Sequence, residues 1–128
     1  MDKNELRIGN WVEVKQAEKG FYTTIQPSCF SVDIDKTYKA IPLDEEWLLT
    51  FGFKKISGIN DRYLKDYGAF FFSLLLTNDG KSYHVTLSNH DGNEAPPTIG
   101  FGIFKYVHQL QNIYFALCSD ELVYNLQL

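Results

Sequence analysis

Residues 104–117, Phe-Lys-Tyr-Val-His-Gln-Leu-Gln-Asn-Ile-Tyr-Phe-Ala-Leu, form the only long helical pattern in the chain. At about 100° per residue, Ile103, Val107, Leu110, Tyr114 and Leu117 fall in one narrow stripe, flanked by Tyr106, Ile113 and Cys118. Such a stripe has to lie against an apolar layer. The opposite side carries Lys105, Gln109, Asn112 and Ala116, which predicts a helix with its back in water.

Residues 68–89 supply a suitable layer. Asp79-Gly80 between two β-rich runs predicts a two-residue hairpin turn. That turn pairs Leu76 with Tyr83, Leu74 with Val85 and Phe72 with Leu87 on one apolar face. The other face pairs Leu75 with His84, Ser73 with Thr86 and Phe71 with Ser88, a mixed surface. The long helix is expected to cover the apolar face.

Earlier in the chain, residues 6–15 read as a strand entered through a Gly9-Asn10 turn or bulge, with Val12 and Val14 inward and Glu13 and Lys15 outward. Residues 21–25 and 30–34 follow as short strands with Pro27 between them, which suggests a small SH3-like curled sheet. Residues 44–53 predict a two-turn helix with Asp44 as N-cap, Glu45 and Glu46 at the positive end of the dipole, and left-handed Gly52 after the last turn. Residues 53–56 and 62–67 read as two more strands, and 119–128 as an alternating tail that closes the sheet. The fold class is therefore α+β: mostly antiparallel sheet of short strands, with one short helix and one long C-terminal helix packed on it.

The 128 residues allow one domain that buries roughly two-thirds of its extended-chain surface, enough for a core without metal or disulfide staples. If the chain forms two lobes, 1–42 and 43–128, Pro42 is their natural boundary, and so short a connection predicts a shared core. A net charge of −4 argues against a protein that coats nucleic acid, which needs a basic surface. The first ten residues lack the apolar run of a leader, and the longest uncharged apolar stretch, within 67–78, is too short to span a bilayer. A cytoplasmic protein without membrane contact is expected. Cys29 and Cys118 lack metal or redox spacing and read as packed, reduced thiols.

Three places could carry chemistry. Lys54, Lys55, Arg62 and Lys65, interleaved with Tyr63 and Tyr67, could track a phosphate backbone or stack bases. The competing reading is a solvated edge hairpin guarded by lysines, favoured because Asp61 and Asp66 dilute the charge. In the aperiodic stretch 89–102, His90, Asp91 and Glu94 could ligate a metal, but their spacing fits no calcium or zinc pattern and a solvated loop is the better reading. On the flank of the long helix, His108, Gln111, Asn112 and Phe115 stand at i, i+3, i+4 and i+7, so hydrogen-bonding groups line up beside an aromatic. That stripe suits a docking surface for a protein or a base; alternatively Phe115 packs and the amides serve backbone groups.

Three words of the sequence carry a resemblance. They are Leu6-Arg7-Ile8-Gly9-Asn10, then Ile41-Pro42-Leu43-x-Glu45-Glu46-Trp47-Leu48-Leu49-x-Phe51-Gly52-Phe53, then Val107-His108-Gln109-Leu110-Gln111-Asn112-Ile113-Tyr114-Phe115-Ala116-Leu117. In that order they resemble a family of small uncharacterised proteins of gut bacteria, their prophages and other mobile elements. The resemblance implies a phage or mobile-element setting and no activity, cofactor or catalytic residue. Members commonly have Gly after the final helix where this chain has Ser119, which argues against a left-handed cap there.

No Gly-rich phosphate loop, nucleophile elbow or HExxH word is present. With acidity and aromatic richness, this leads to the expectation of a non-enzymatic protein-interaction module without cofactor or metal. Its partner would be an unidentified protein or a second copy, and nucleic-acid or nucleotide binding through the residue 54–67 patch is the rival.

Overall fold

The structure, a computed structural model, describes residues 5–15, 20–27, 29, 34–56, 61–68, 70–89 and 98–124. It is α+β, with two antiparallel sheets, as the hydrophobic patterning predicts. The chain divides into two compact units, Met1–Pro42 with Tyr106–Glu121, and Leu43–Lys105 with Leu122–Leu128.

The first unit holds β1 (Trp11–Val14), β2 (Tyr22–Thr24), the one-turn α1 (Ile34–Thr37), β3 (Tyr38–Lys39) and the long helix, here α3 (Val107–Cys118). Its sheet has the order β2-β1-β3. Leu6, Val12, Ile25, Cys29 and Ile34 form its core, with Tyr38 packed against them. Two expectations change here. Ile34 begins a helical turn rather than ending a strand, while 30–33 lie outside the described residues. Glu13 is buried rather than outward, because its carboxylate accepts from the Gly20 N–H at 3.2 Å and faces Lys39 Nζ at 3.6 Å.

The helix also differs from its expected frame. It starts at Val107, and Ile103 and Phe104 belong to a strand. Val107, Leu110 and Tyr114 are buried, whereas Leu117 is exposed. The helix is part of the unit of the N-terminal strands and packs on β1. At its end, Ser119 does adopt the left-handed conformation, at φ 52 and ψ 32, with its N–H donating to Phe115 O at 2.8 Å. The expected absence of that cap is thus corrected, since the open carbonyl at Phe115 gains a donor.

The second unit opens with α2 (Glu45–Thr50). Asp44 Oδ1 accepts from the Trp47 N–H at 3.0 Å, and Gly52 sits at φ 91. Gly52 N–H reaches Leu49 O and Phe53 N–H reaches Leu48 O, each at 3.0 Å, the paired bonds of a Schellman stop. The five-stranded sheet runs β4 (Lys54–Ile56), β5 (Arg62–Tyr67), β6 (Phe70–Leu76), β7 (Tyr83–Asn89) and β8 (Thr98–Phe104), neighbours in sequence pairing throughout. The register of β6 on β7 is the expected one, from Leu76 opposite Tyr83 to Phe71 opposite Ser88.

The connection is wider than a two-residue turn. Gly80 N–H returns to Thr77 O and Thr77 N–H donates to Ser82 O, both at 3.0 Å. Asp79 closes the loop by accepting from the Thr77 hydroxyl, the Lys81 N–H at 2.9 Å and the Ser82 hydroxyl at 3.2 Å. These bonds, Thr77 first, hold its carboxyl down at about 2.

Strand β8 replaces what patterning treats as loop and helix start. Its two glycines lower strand propensity, and pairing with β7 forms it regardless. A bulge between Val85 and Thr86 leaves Phe101 unopposed, and Gly102 takes φ 98 to accommodate it. The expected closing strand is absent from 119–124, where Leu122 is buried and Tyr124 packs on the Trp47 ring at 5.3 Å; 125–128 lie outside the described residues.

Ser119→Gly should stabilise the protein by about 0.5–1 kcal/mol, because glycine takes the left-handed region without the Cβ penalty. Urea denaturation of the two proteins checks this, with a higher midpoint expected for the variant.

Candidate functional site

The polar flank of α3 is spent inside the first unit. Residues 107–111 begin a helix because Val107 N–H is satisfied by Ile41 O at 2.9 Å and the Gln109 side chain accepts from the Tyr106 N–H at 3.1 Å. One turn on, the Gln111 carboxamide accepts from the Trp11 N–H at 2.9 Å and donates to Gly9 O at 3.2 Å. It acts as a short extra strand beside the entry to β1. Asn112 Nδ2 donates to Glu5 O at 2.7 Å, and its Oδ1 accepts from Asn10 Nδ2 at 2.8 Å and Arg7 Nε at 3.2 Å.

Arg7 completes this latch. Its guanidinium forks onto the Glu121 carboxylate, donates to Gln111 O at 3.4 Å and lies 4.3 Å from the centre of the Phe115 ring. His108 and Gln111 are each only 1% exposed, so they are closed to a partner, and the docking reading of that stripe gives way to backbone service. Of the four, Phe115 alone remains substantially exposed, at 39%.

His108 also lines a cleft of about 320 Å³ with Glu5, Lys15, Tyr38, Lys39, Ala40 and Tyr106, all within the first unit. Its Nε2 faces Glu5 Oε2 at 3.3 Å, and the buried Nδ1 has no hydrogen-bond partner among the described residues. Burial lowers the imidazole pKa from 6.5, against the opposing pull of Glu5. The Tyr106 ring stacks on it at 5.9 Å and 15°. The Tyr38 hydroxyl lies 3.4 Å from Cys29 Sγ; that contact, then burial, pushes it up, so the phenol stays protonated. These residues come from four separate places in the sequence, and no spacing rule links them.

The basic patch is partly assembled. Lys54, Lys55 and Lys65 line a second hollow of about 300 Å³ with Gly52, Ile56, Leu64 and Asp66. Arg62 and Tyr63 do not line it, and Tyr67 sits exposed at the strand end. Tyr63 is buried, edge-on to Tyr83 and donating to Glu45 Oε1 at 3.1 Å, so it cannot stack a base as the sequence suggested. Lys55 is engaged by Glu45 at 2.7 Å and Asp61 at 3.7 Å. Strand β4 is an edge, where lysines also discourage pairing.

His90, Asp91 and Glu94 lie outside the described residues. Among the described residues no group of three or more His, Cys, Asp or Glu is placed to hold a metal, both cysteines are free, and no helix is long and apolar enough to cross a membrane. No family model matches the chain, and neither the curated proteins nor the solved structures contain a significant match.

Gln111→Met keeps the length of the side chain but leaves Gly9 O and the Trp11 N–H without it, and should cost about 1–3 kcal/mol in chemical denaturation. His108 gives a pH signature. Because its folded pKa lies below 6.5, the unfolded chain takes up a proton that the folded chain refuses. Stability should therefore fall as pH drops from 6.5 towards the folded value. Melting at about pH 7.5 and about pH 5.5 should show a larger loss for the native protein than for His108→Phe.

Proposed function

We propose that this protein is a small non-enzymatic binding module that acts through protein contacts in a phage or mobile-element setting. The setting rests on the resemblance of the three sequence words. The contact surface rests on β8: an edge strand of seven residues with no charge, on which Ile99 and Ile103 are 57% and 58% exposed. Natural edges usually carry a charge or a proline against unwanted pairing. β8 has only the bulge at Phe101, so an extended segment of a partner protein can add to the sheet on either side of it.

A second reading, nucleic-acid binding, draws on the three lysines of the β4 hollow. Both are tested by pull-down with native protein and with Ile99→Lys/Ile103→Lys, from lysates with and without nuclease. The β8 reading expects a nuclease-resistant partner that the folded variant no longer captures; light scattering shows whether it is a second copy. Capture that survives the substitutions overturns the β8 surface, and nuclease-sensitive capture moves the function to the lysine hollow.

A further inference from the structure

The bulge in β8 gives its two exposed isoleucines different surroundings. Ile99 stands opposite Leu87 and Ile103 opposite His84, and successive positions of β7 face opposite sides of the sheet. Val85 and Tyr83, in phase with Leu87, are buried, whereas His84 is exposed. The extra residue at Phe101 therefore turns Ile99 to the core side of the sheet and Ile103 to its outer side.

An uncharged apolar surface continues from Ile99. Leu87 beside it is half-buried, and diagonal to Leu87 on β6 stands Phe70, on the same side as the fully buried Phe72 and itself 48% exposed. Tyr67, opposite Phe70 on β5, is 37% exposed. These four residues cross four strands of the second unit at one end of the sheet. Ile103 instead shares its row with the His84 imidazole and, further in, the Arg62 guanidinium.

The backbone favours the same half of the strand. Residues 98–100 pair regularly with β7. Past the bulge, Gly102 sits at φ 98, outside the strand range, and the Lys105 carbonyl already accepts from the Leu43 N–H at 2.8 Å. Three residues offer few main-chain bonds, so side-chain contact has to carry much of the binding. An ion buried against this surface would find nothing to pair with, so charge complementarity selects an uncharged occupant.

We infer that the partner of β8 is an uncharged extended segment that pairs with residues 98–100 and packs an apolar side chain on Ile99 and Leu87. The inference rests on the β8 reading, and adds which half of the strand is used and what the partner carries.

The test uses two short peptides with blocked ends, one of alternating phenylalanine and threonine and one of alternating glutamate and threonine, titrated into the whole protein and followed by NMR. The phenylalanine peptide should shift the Ile99 and Gly100 amides and the Leu87 methyls, and bind about tenfold more tightly than the glutamate peptide. Ile99→Lys should remove that preference, while Ile103→Lys, the same charge on the other half and equally exposed, should leave it intact. Shifts centred on Ile103 and lost only in Ile103→Lys, or equal affinity for the two peptides, overturn this inference and leave the β8 edge standing. No shift on either half at millimolar peptide, or binding unchanged when alternate peptide amides are N-methylated, overturns the β8 reading with it.

Discussion

Within the first unit, one side-chain amide ties α3 to the entry of β1. Gln111 reaches from α3 to the chain just before β1 and fills both the Gly9 carbonyl and the Trp11 N–H, which would otherwise be open at a strand entrance. Buried backbone groups must find partners, so this pair of bonds sets where the helix lies along the strand. Asn112, Asn10 and Arg7 extend the same network, and the Arg7 guanidinium spreads over Phe115 while gripping Glu121. Removing any one member leaves others unpaired, which is the behaviour of a network rather than of separate contacts. Residues 6–10 and 107–117 are the two sides of this latch, and the Ile41 carbonyl caps the helix start.

The second unit depends on a different constraint. Its register is set by alternation on β6 and β7, then locked at one end by Asp79, whose acceptance of three hydrogen bonds explains its low carboxyl pKa. The two edges of the sheet are guarded unequally. On β4 Lys54 and Lys55 stand at the border, Lys55 tied to Glu45 and Asp61, while on β8 a bulge and a left-handed glycine interrupt an uncharged strand. The proposed partner contact at β8 rests on that asymmetry.

The latch and the cleft explain each other. Holding Glu5 beside α3 brings a carboxylate to the buried imidazole. The polar stripe therefore divides its labour: Gln111 and Asn112 serve the backbone, and His108 faces a cleft with lysines and tyrosines around it.

Local chemistry is legible in the sequence where neighbours along the chain decide the outcome. The Asp44 cap, the Gly52 stop and the pairing of Leu74 with Val85 depend on residues a few places apart, so spacing alone determined them. Where a partner lies far along the chain, spacing fails. The contact of α3 with the entry to β1 rests on Gln111 meeting the Trp11 N–H and the Gly9 carbonyl about a hundred residues away, which no local spacing announces. Ser119 is left-handed because the helix end, not the residue's own preference, requires it. Glu13 and Tyr63 are buried because Lys39 and Glu45 reach them from elsewhere. The His108 cleft joins residues 5, 15, 38–40, 106 and 108, and its chemistry exists only after folding has gathered them.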